Sequence, residues 1–379
     1  MRNLVFIWAL CMGITSAWAQ GNNSTMGGDD KDIMSISERL LKVEKKTEAL
    51  NVFLNLNTSY QERFDGEQEG GSFVGNHLRF EMKGLLNEKW SYRFRYRLNR
   101  PGRQQDDNFS DNIDFMLVNF QVTDRFRLTA GKKEVTPGGF EWDYNPIQVI
   151  EYSEFANEIS DFHLALQAGI KINKNHELMA EVFNANNDNI CTIYPEAGLE
   201  RSKHPLGVAA NWTGSMWGGR LQTLWTVMFK NEAKDAQSWM LALGQKLNMK
   251  KWQLYVDYYG GWQDVDRQGI VSRETGTLER NVRYHSVVAE LNVQPLPHWN
   301  LFAKGMVEMA SVNGNEALKN YRTSYGYQAG VQWYPDLTQD CKLSLAYIGR
   351  TVHYKSACGL NDYNTNRLEL SLIYRMKVF

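Results

Sequence analysis

The chain has 379 residues, room for one large domain or two ordinary ones, and a formal net charge of −1. That balance argues against a nucleic-acid binder, so any electrostatic function must come from local clustering. Past the N-terminus no apolar run approaches the ~18 residues that a membrane-crossing helix needs, which excludes a helical membrane protein but not a barrel of alternating strands.

Residues 1–19 have the layout of a secretory signal peptide: Arg2, an apolar run from Leu4 to Ile14, then Ala17-Trp18-Ala19 as a small-x-small cleavage site. Cys11 lies in that run behind Leu10, which is not small, so it does not read as a lipoprotein site. Residues 20–30 are rich in Gly, Asn, Ser and Asp and read as a disordered leader. In residues 31–50, Ile33, Ile36, Leu40, Val43, Thr47 and Leu50 recur at three- and four-residue spacings, the pattern of a short coiled-coil helix. A lone helix of ~20 residues is marginal, so its apolar stripe wants a partner, most economically copies of itself. The bland alternative is a helix packed on its own domain.

From Asn51 the period changes to two and holds to the end. About sixteen strands are expected, making residues 51–379 an all-β, transmembrane antiparallel β-barrel preceded by the short periplasmic helix. The third strand is the most informative. Trp90, Tyr92, Phe94, Tyr96 and Leu98 alternate with Ser91, Arg93, Arg95, Arg97 and Asn99, an oily face backed by an arginine column. Connections alternate in length, long at Glu62–Ser72, Arg100–Asp111, Glu134–Phe162, Ala185–His204 and Gln263–Arg280, and short between them. Tight periplasmic turns and long external loops produce that asymmetry, and a soluble sandwich has no reason to keep it. Trp90, Phe126, Trp252, Trp299 and Trp333 each fall beside a short turn, as an interfacial aromatic ring would. The terminal Phe379 suits a barrel inserted by the barrel-assembly machinery into outer-membrane lipid.

Between Arg79 and Lys133 cations outnumber acids twelve to seven. Arg79, Arg93, Arg95, Arg97, Arg127 and Lys133 are the expected pore-lining, anion-binding side chains. Arginine stays charged and its fork fits oxyanions; three at i, i+2 and i+4 stand ~6.5–7 Å apart per step, a ladder for a moving anion. Pairing strands two and three across a Leu85–Glu88 turn puts Arg79 near Arg95 and Glu81 opposite Arg93. The bland reading is that any wide barrel keeps a mixed-charge, wetted lumen. The longest connection, Glu134–Phe162, holds Pro137-Gly138-Gly139-Phe140 and the aromatics Trp142, Tyr144 and Tyr152 among many acids. It is too aromatic for disorder, and either folds into the lumen as a constriction or caps the rim.

Nothing points to an enzyme: there is no Gly-x-Ser-x-Gly, no metal-ligand spacing and no phosphate-binding Gly loop, and no cofactor is called for. The acids of Asp264-Val265-Asp266 read as solvated loop residues before a Ca²⁺ site. Cys191, Cys341 and Cys358 are either unpaired or, for Cys191 and Cys358, a bridge between external loops.

Arg93-Phe94-Arg95-Tyr96-Arg97, Phe115–Phe120, and Leu128-Thr129-Ala130-Gly131-Lys132-Lys133 running into Pro137-Gly138-Gly139-Phe140 resemble the phosphate-selective porin O and P family of Gram-negative outer membranes. The resemblance implies a sixteen-stranded barrel, a homotrimer, whose lumen arginines and lysines pass inorganic anions such as phosphate. The sequence departs from the family at the end of the fifth strand, with Glu134 and Thr136 where Lys and Pro are usual, and its later strands show no comparable cationic column. The expected function is passive diffusion of small solutes across the outer membrane with a bias to anions. A barrel plugged by its long loop, serving as a structural or binding protein, and a non-selective general porin are the alternatives.

Overall fold

The computed structural model describes residues 49–379, except 66–68, 136–137, 160, 186, 188 and 336–340. The signal peptide, the leader and all but the end of the coiled-coil segment therefore lie outside the described residues.

The two-residue period becomes sixteen strands: β1 (Asn51–Arg63), β2 (Gly70–Leu85), β3 (Trp90–Arg97), β4 (Ile113–Gln121), β5 (Phe126–Glu134), β6 (Phe162–Asn173), β7 (His176–Asn184) and β8 (Leu206–Met216), then β9 (Leu221–Ala233), β10 (Ala236–Asn248), β11 (Trp252–Val265), β12 (Arg280–Leu296), β13 (Trp299–Val312), β14 (Arg322–Trp333), β15 (Cys341–Tyr354) and β16 (Tyr363–Lys377). Each pairs antiparallel with its neighbours in sequence, and β1 closes on β16 from Phe53 opposite Lys377 to Arg63 opposite Arg367. Closure leaves no edge strand with unpaired backbone groups, the condition for crossing lipid. No helix among the described residues is long and apolar enough to cross a membrane; the barrel would cross with its strands.

Alternation fixes which side chains meet lipid. On β16, Leu368, Leu370 and Leu372 are exposed while Glu369, Ser371 and Ile373 are buried. Trp90, Trp299 and Trp333 face outwards beside short turns, and Trp90 stacks on Phe120 with ring centroids 4.5 Å apart. Leu370 sits mid-strand with 52% of its surface exposed. Leu370→Arg is expected to destabilise the barrel by about 2–4 kcal/mol, as charge at the bilayer midplane does, measured by denaturant titration in lipid vesicles.

Two expectations change. The β2–β3 hairpin pairs Arg79 with Arg97, Glu81 with Arg95 and Lys83 with Arg93, two residues away from the pairing of Arg79 with Arg95 and Glu81 with Arg93. The turn is wider than assumed: Leu86 N–H donates to Trp90 O at 2.9 Å, and the Asn87 side chain accepts from the Lys89 and Trp90 amides. The long-short alternation also has an exception. β9 and β10 are joined on the long-loop side by Lys234-Asp235 alone, with Asp235 at φ +60°. Cys191 and Cys358 are both free and pack against different apolar clusters, so no bridge links them.

The lumen is not uniform around its circumference. Met228, Met240, Tyr255, Tyr259, Tyr284 and Met306 point inwards from β9–β13 and form an apolar core with Phe140 and Phe155 of the β5–β6 connection. That core backs the loop onto one side of the barrel. The walls flanking it carry the charge.

Candidate functional site

The arginine column begins with the alternation of β3. Arg93 and Arg95 are buried inside the barrel and Arg97 is partly so, while Phe94 and Tyr96 take the opposite face. Arg79, on β2, joins them through the register just described. Between β3 and β4 the ladder slips: Arg95 pairs with Phe115 and Tyr96 with Ile113, leaving Asp114 as an extra residue. By simple alternation Asp114 would point to lipid, where a carboxylate is costly. The bulge turns it inwards, to zero exposure, and aims it at the arginines.

Three guanidiniums converge on that carboxylate. Asp114 lies 3.1 Å from Arg79 Nη1, 2.8 Å from Arg95 Nε and 2.6 Å from Arg97 Nε. Arg93 pairs with Glu81 at 2.7 Å. Phe115 lies under the Arg93 and Arg95 guanidiniums at 4.0 and 4.4 Å from its centroid, a cation–π contact that holds them without cancelling charge. Among the described residues Arg79 Nε has no hydrogen-bond acceptor although it is buried. Four arginines against two carboxylates leave a local excess of two positive charges.

The other two expected site residues are arranged differently. Arg127 donates to Glu177 at 2.8 Å, and Lys133 to Glu181 at 2.5 Å, both acids on β7. These are one-to-one pairs with no excess. At the foot of the long loop, burial pushes the Asp161 carboxyl well up from the usual carboxylate range, ahead of the opposing pull of Arg97, which weakens its power to cancel the column.

The described residues of the β5–β6 connection, from 138 to 159, fold into the barrel. Gly138 and Gly139, at φ +78° and +84°, lie flat on β9–β11; a Cβ on Gly139 would run into the Tyr259 hydroxyl. The next two amides, of Phe140 and Glu141, donate to Asp257 on β11 at 2.9 and 2.8 Å. Farther on, Asn57 of β1 donates to Ile147 O at 2.9 Å, so the loop reaches right across the lumen. Trp142 and Tyr152 pack ring against ring at 5.6 Å, and Tyr144 donates to Gln253 at 2.6 Å and rests against Tyr255. All three expected constriction aromatics therefore lie on a segment inside the barrel.

Three of the loop's acids, Glu141, Glu151 and Glu154, bind cations of β13–β16, which lie a few strands from the column around the closed barrel. Glu141 meets Lys304 at 2.6 Å, Glu154 takes Arg322 through two bonds of 2.7 Å, and Glu151 meets Arg367 at 2.7 Å and Arg350 at 3.5 Å. Glu308 on β13 holds the Glu154 and Phe155 amides at 3.0 Å and Arg350 at 2.7 Å. The later strands thus do carry a cationic belt, which the sequence reading missed. It is assembled one or two residues per strand, Lys304 on β13, Arg322 on β14, Arg350 on β15 and Arg367 on β16, so no single strand displays it. The signal that could have found it is the surplus of acids in the loop, which needed cations somewhere. Asp114 was also missed; an acid on the lipid-side parity of an alternating strand was its signal. Among the described residues no group of three or more His, Cys, Asp or Glu is placed to hold a metal.

Solved structures of the same architecture include the outer-membrane OmpT of Vibrio cholerae, 11% identical, with a TM-score of 0.57 over 87% of this chain and 99% of that one. The outer membrane channel DcaP of Acinetobacter baumannii is 9% identical, with a TM-score of 0.60 over 86% and 97%. Salmonella typhi OmpF, solved in complex with daunomycin, is 11% identical, with a TM-score of 0.58 over 86% and 97%. At these identities they share the fold alone. No curated protein sequence matches the chain. The model of one family does match, from residue 52 to residue 376, which is nearly the whole barrel from β1 to β16. On that match the chain belongs to the phosphate-selective porin O and P family, passive channels of the outer membrane rather than enzymes.

Proposed function

We propose that the anion bias of this porin resides in Arg79, Arg95 and Arg97 around Asp114, extended by Arg93, and that phosphate is among the anions it passes. The observation that carries this reading is the division of charge. Three guanidiniums share one carboxylate on the β2–β4 wall, while Glu141, Glu151 and Glu154 of the inserted loop are engaged by Lys304, Arg322, Arg350 and Arg367 on β13–β16. A passing anion meets an uncompensated positive field, and fixed cationic side chains are how anion pores select. Arg127 and Lys133, each neutralised by a glutamate, act as wall residues in this scheme. Trp142, Tyr144 and Tyr152 narrow the passage.

Reversal potentials across planar bilayers under a KCl gradient test the reading. A chloride-preferring pore that phosphate partly blocks is expected; a potassium-preferring pore would overturn it. We also read the working form as a homotrimer, supported by the heptad spacing of residues 31–50. Cross-linking the same preparation before and after removal of those residues checks this, and a monomer in both samples counts against it.

A further inference from the structure

We propose that the outer face of β3–β5 is turned not to lipid but to a second copy of this chain, and is the wall by which copies meet. This surface deepens the homotrimer reading, on which it rests. Height decides it. At about 3.3 Å per residue and a tilt of about 40°, a strand gains about 2.5 Å of height per residue. A barrel wall that meets acyl chains needs an outward apolar band about 25 Å tall. β13 supplies one, apolar on its outer face from Trp299 to Met309, and β16 supplies another from Leu368 to Val378. β3, β4 and β5, with 8, 9 and 9 residues, are among the shortest strands and stand side by side.

On β5 the outward face is apolar only from Phe126 to Ala130, and Lys132 ends it. Its register partners settle the side: Met116 of β4 and Leu164 of β6 flank it, and Met116 is an exposed, outward residue. Six residues above Phe126, Lys132 stands about 15 Å up, within the depth that acyl chains would occupy. Yet neither its side chain nor that of Asp107, 3.3 Å away, has any exposure. The β3–β4 connection, residues 98–112, folds down over the outside of the wall and covers the lysine, which also donates to Gln105 Oε1 and Ser110 O. The same connection leaves Arg103, Gln104 and Asp106 exposed. A charged loop laid against acyl chains is costly, whereas a polar cover beside an apolar patch is how protein interfaces are built.

The occupant follows from where the heptad segment leaves the barrel. Tyr92, on the outer face of β3, donates to Ala49 O at 2.9 Å, and a Cβ on Gly84 beside the β2–β3 turn would run into the same oxygen. The end of the segment 31–50 therefore lies against the foot of this wall. A stretch whose apolar stripe wants copies of itself starts beneath the face that wants a protein cover. Below Lys132 the apolar part of the wall is low in relief, with Ala130 between Val118 and Leu166 and Leu128 beside Ala168, so a neighbouring barrel can come close. Repeated about an axis, one such face set against the next copy closes a ring.

The experiment measures the mass of the full-length protein in detergent micelles by light scattering, for the wild type, for Met116→Arg on this face and for Leu370→Arg on β16. Heat-modifiable migration on gels confirms that each is a folded barrel. The wild type and Leu370→Arg are expected to share one oligomeric mass, and Met116→Arg to fall to a single chain. An unchanged mass in folded Met116→Arg, or an equal loss in Leu370→Arg, would overturn the proposal. The chain lacking residues 31–50 separates the two failures. If that deletion dissociates the oligomer while folded Met116→Arg does not, the homotrimer stands and this wall is excluded; a wild type of one chain removes both. Should Met116→Arg fail to fold, a nitroxide on Val118→Cys is compared with one on Leu370→Cys by oxygen collision in lipid vesicles, in a chain whose other cysteines are changed to Ser. Collision at 118 is expected to be several-fold rarer; equal values would mean that acyl chains reach the wall, and would overturn the proposal.

Discussion

Changing Arg79, Arg95 and Arg97 to Gln together with Asp114→Asn is expected to lower the anion-over-cation permeability ratio at least tenfold in dilute salt. The fourth substitution matters. Asp114 has no exposure, and removing its three partners alone would strand a buried carboxylate at a cost of several kcal/mol, confusing misfolding with lost selectivity. With all four changed, the wall loses a net charge of +2 and no charge is stranded. At ~5 Å each charge contributes about 0.8 kcal/mol to a passing ion even at the dielectric constant of water. Two charges therefore remove about 1.6 kcal/mol of anion stabilisation and a like amount of cation repulsion. The effect should shrink as salt rises, because the screening length falls from about 10 Å at 0.1 M to about 3 Å at 1 M. Asp114→Asn alone should act in the opposite direction and sharpen the anion preference. Reversal potentials at two ionic strengths read all of these. A selectivity that is unchanged in the fourfold variant would remove the column from the mechanism.

The column was legible because all its information lies within one strand. In Trp90–Arg97 the alternation gives the face, and the face gives the lumen, whatever the neighbours do. Register needed more. Whether Arg79 faces Arg95 or Arg97 depends on a turn in which the Asn87 side chain stops two amides, and no periodicity encodes that. The Asp114 bulge is likewise a departure from the period that revealed the strands. The belt on β13–β16 was hidden for a different reason. Lys304, Arg322, Arg350 and Arg367 are about twenty residues apart in sequence and become neighbours only when β13–β16 are side by side. The acids Glu141, Glu151 and Glu154 were visible in the loop, but their partners lie more than 150 residues away. Local patterns found the staves of the barrel; the charge balance across the lumen is a property of their closure.

That balance makes the loop the site of the largest single change. Deleting residues 141–158 removes five acids and no bases. It leaves Lys304 without the carboxylate it holds at 2.6 Å and Arg367 without Glu151, and it leaves Arg322 and Arg350 to Glu274 and Glu308. The barrel itself should persist, since its sixteen ladders close without the loop. Loss of packing on Tyr255, Tyr259 and Met240 will cost stability, because that apolar patch becomes wet. Two results are expected together: single-channel conductance rises several-fold, and anion preference rises with it. The pairing of the two is what discriminates among readings. A plug that blocks a non-selective barrel would raise conductance and leave selectivity alone. A cap resting on the rim would leave conductance nearly unchanged. Only a loop whose acids neutralise a cationic belt inside the pore gives both increases, and the undocking variant Gly139→Ala, whose new Cβ collides with Tyr259, should move conductance and selectivity the same way to a smaller extent.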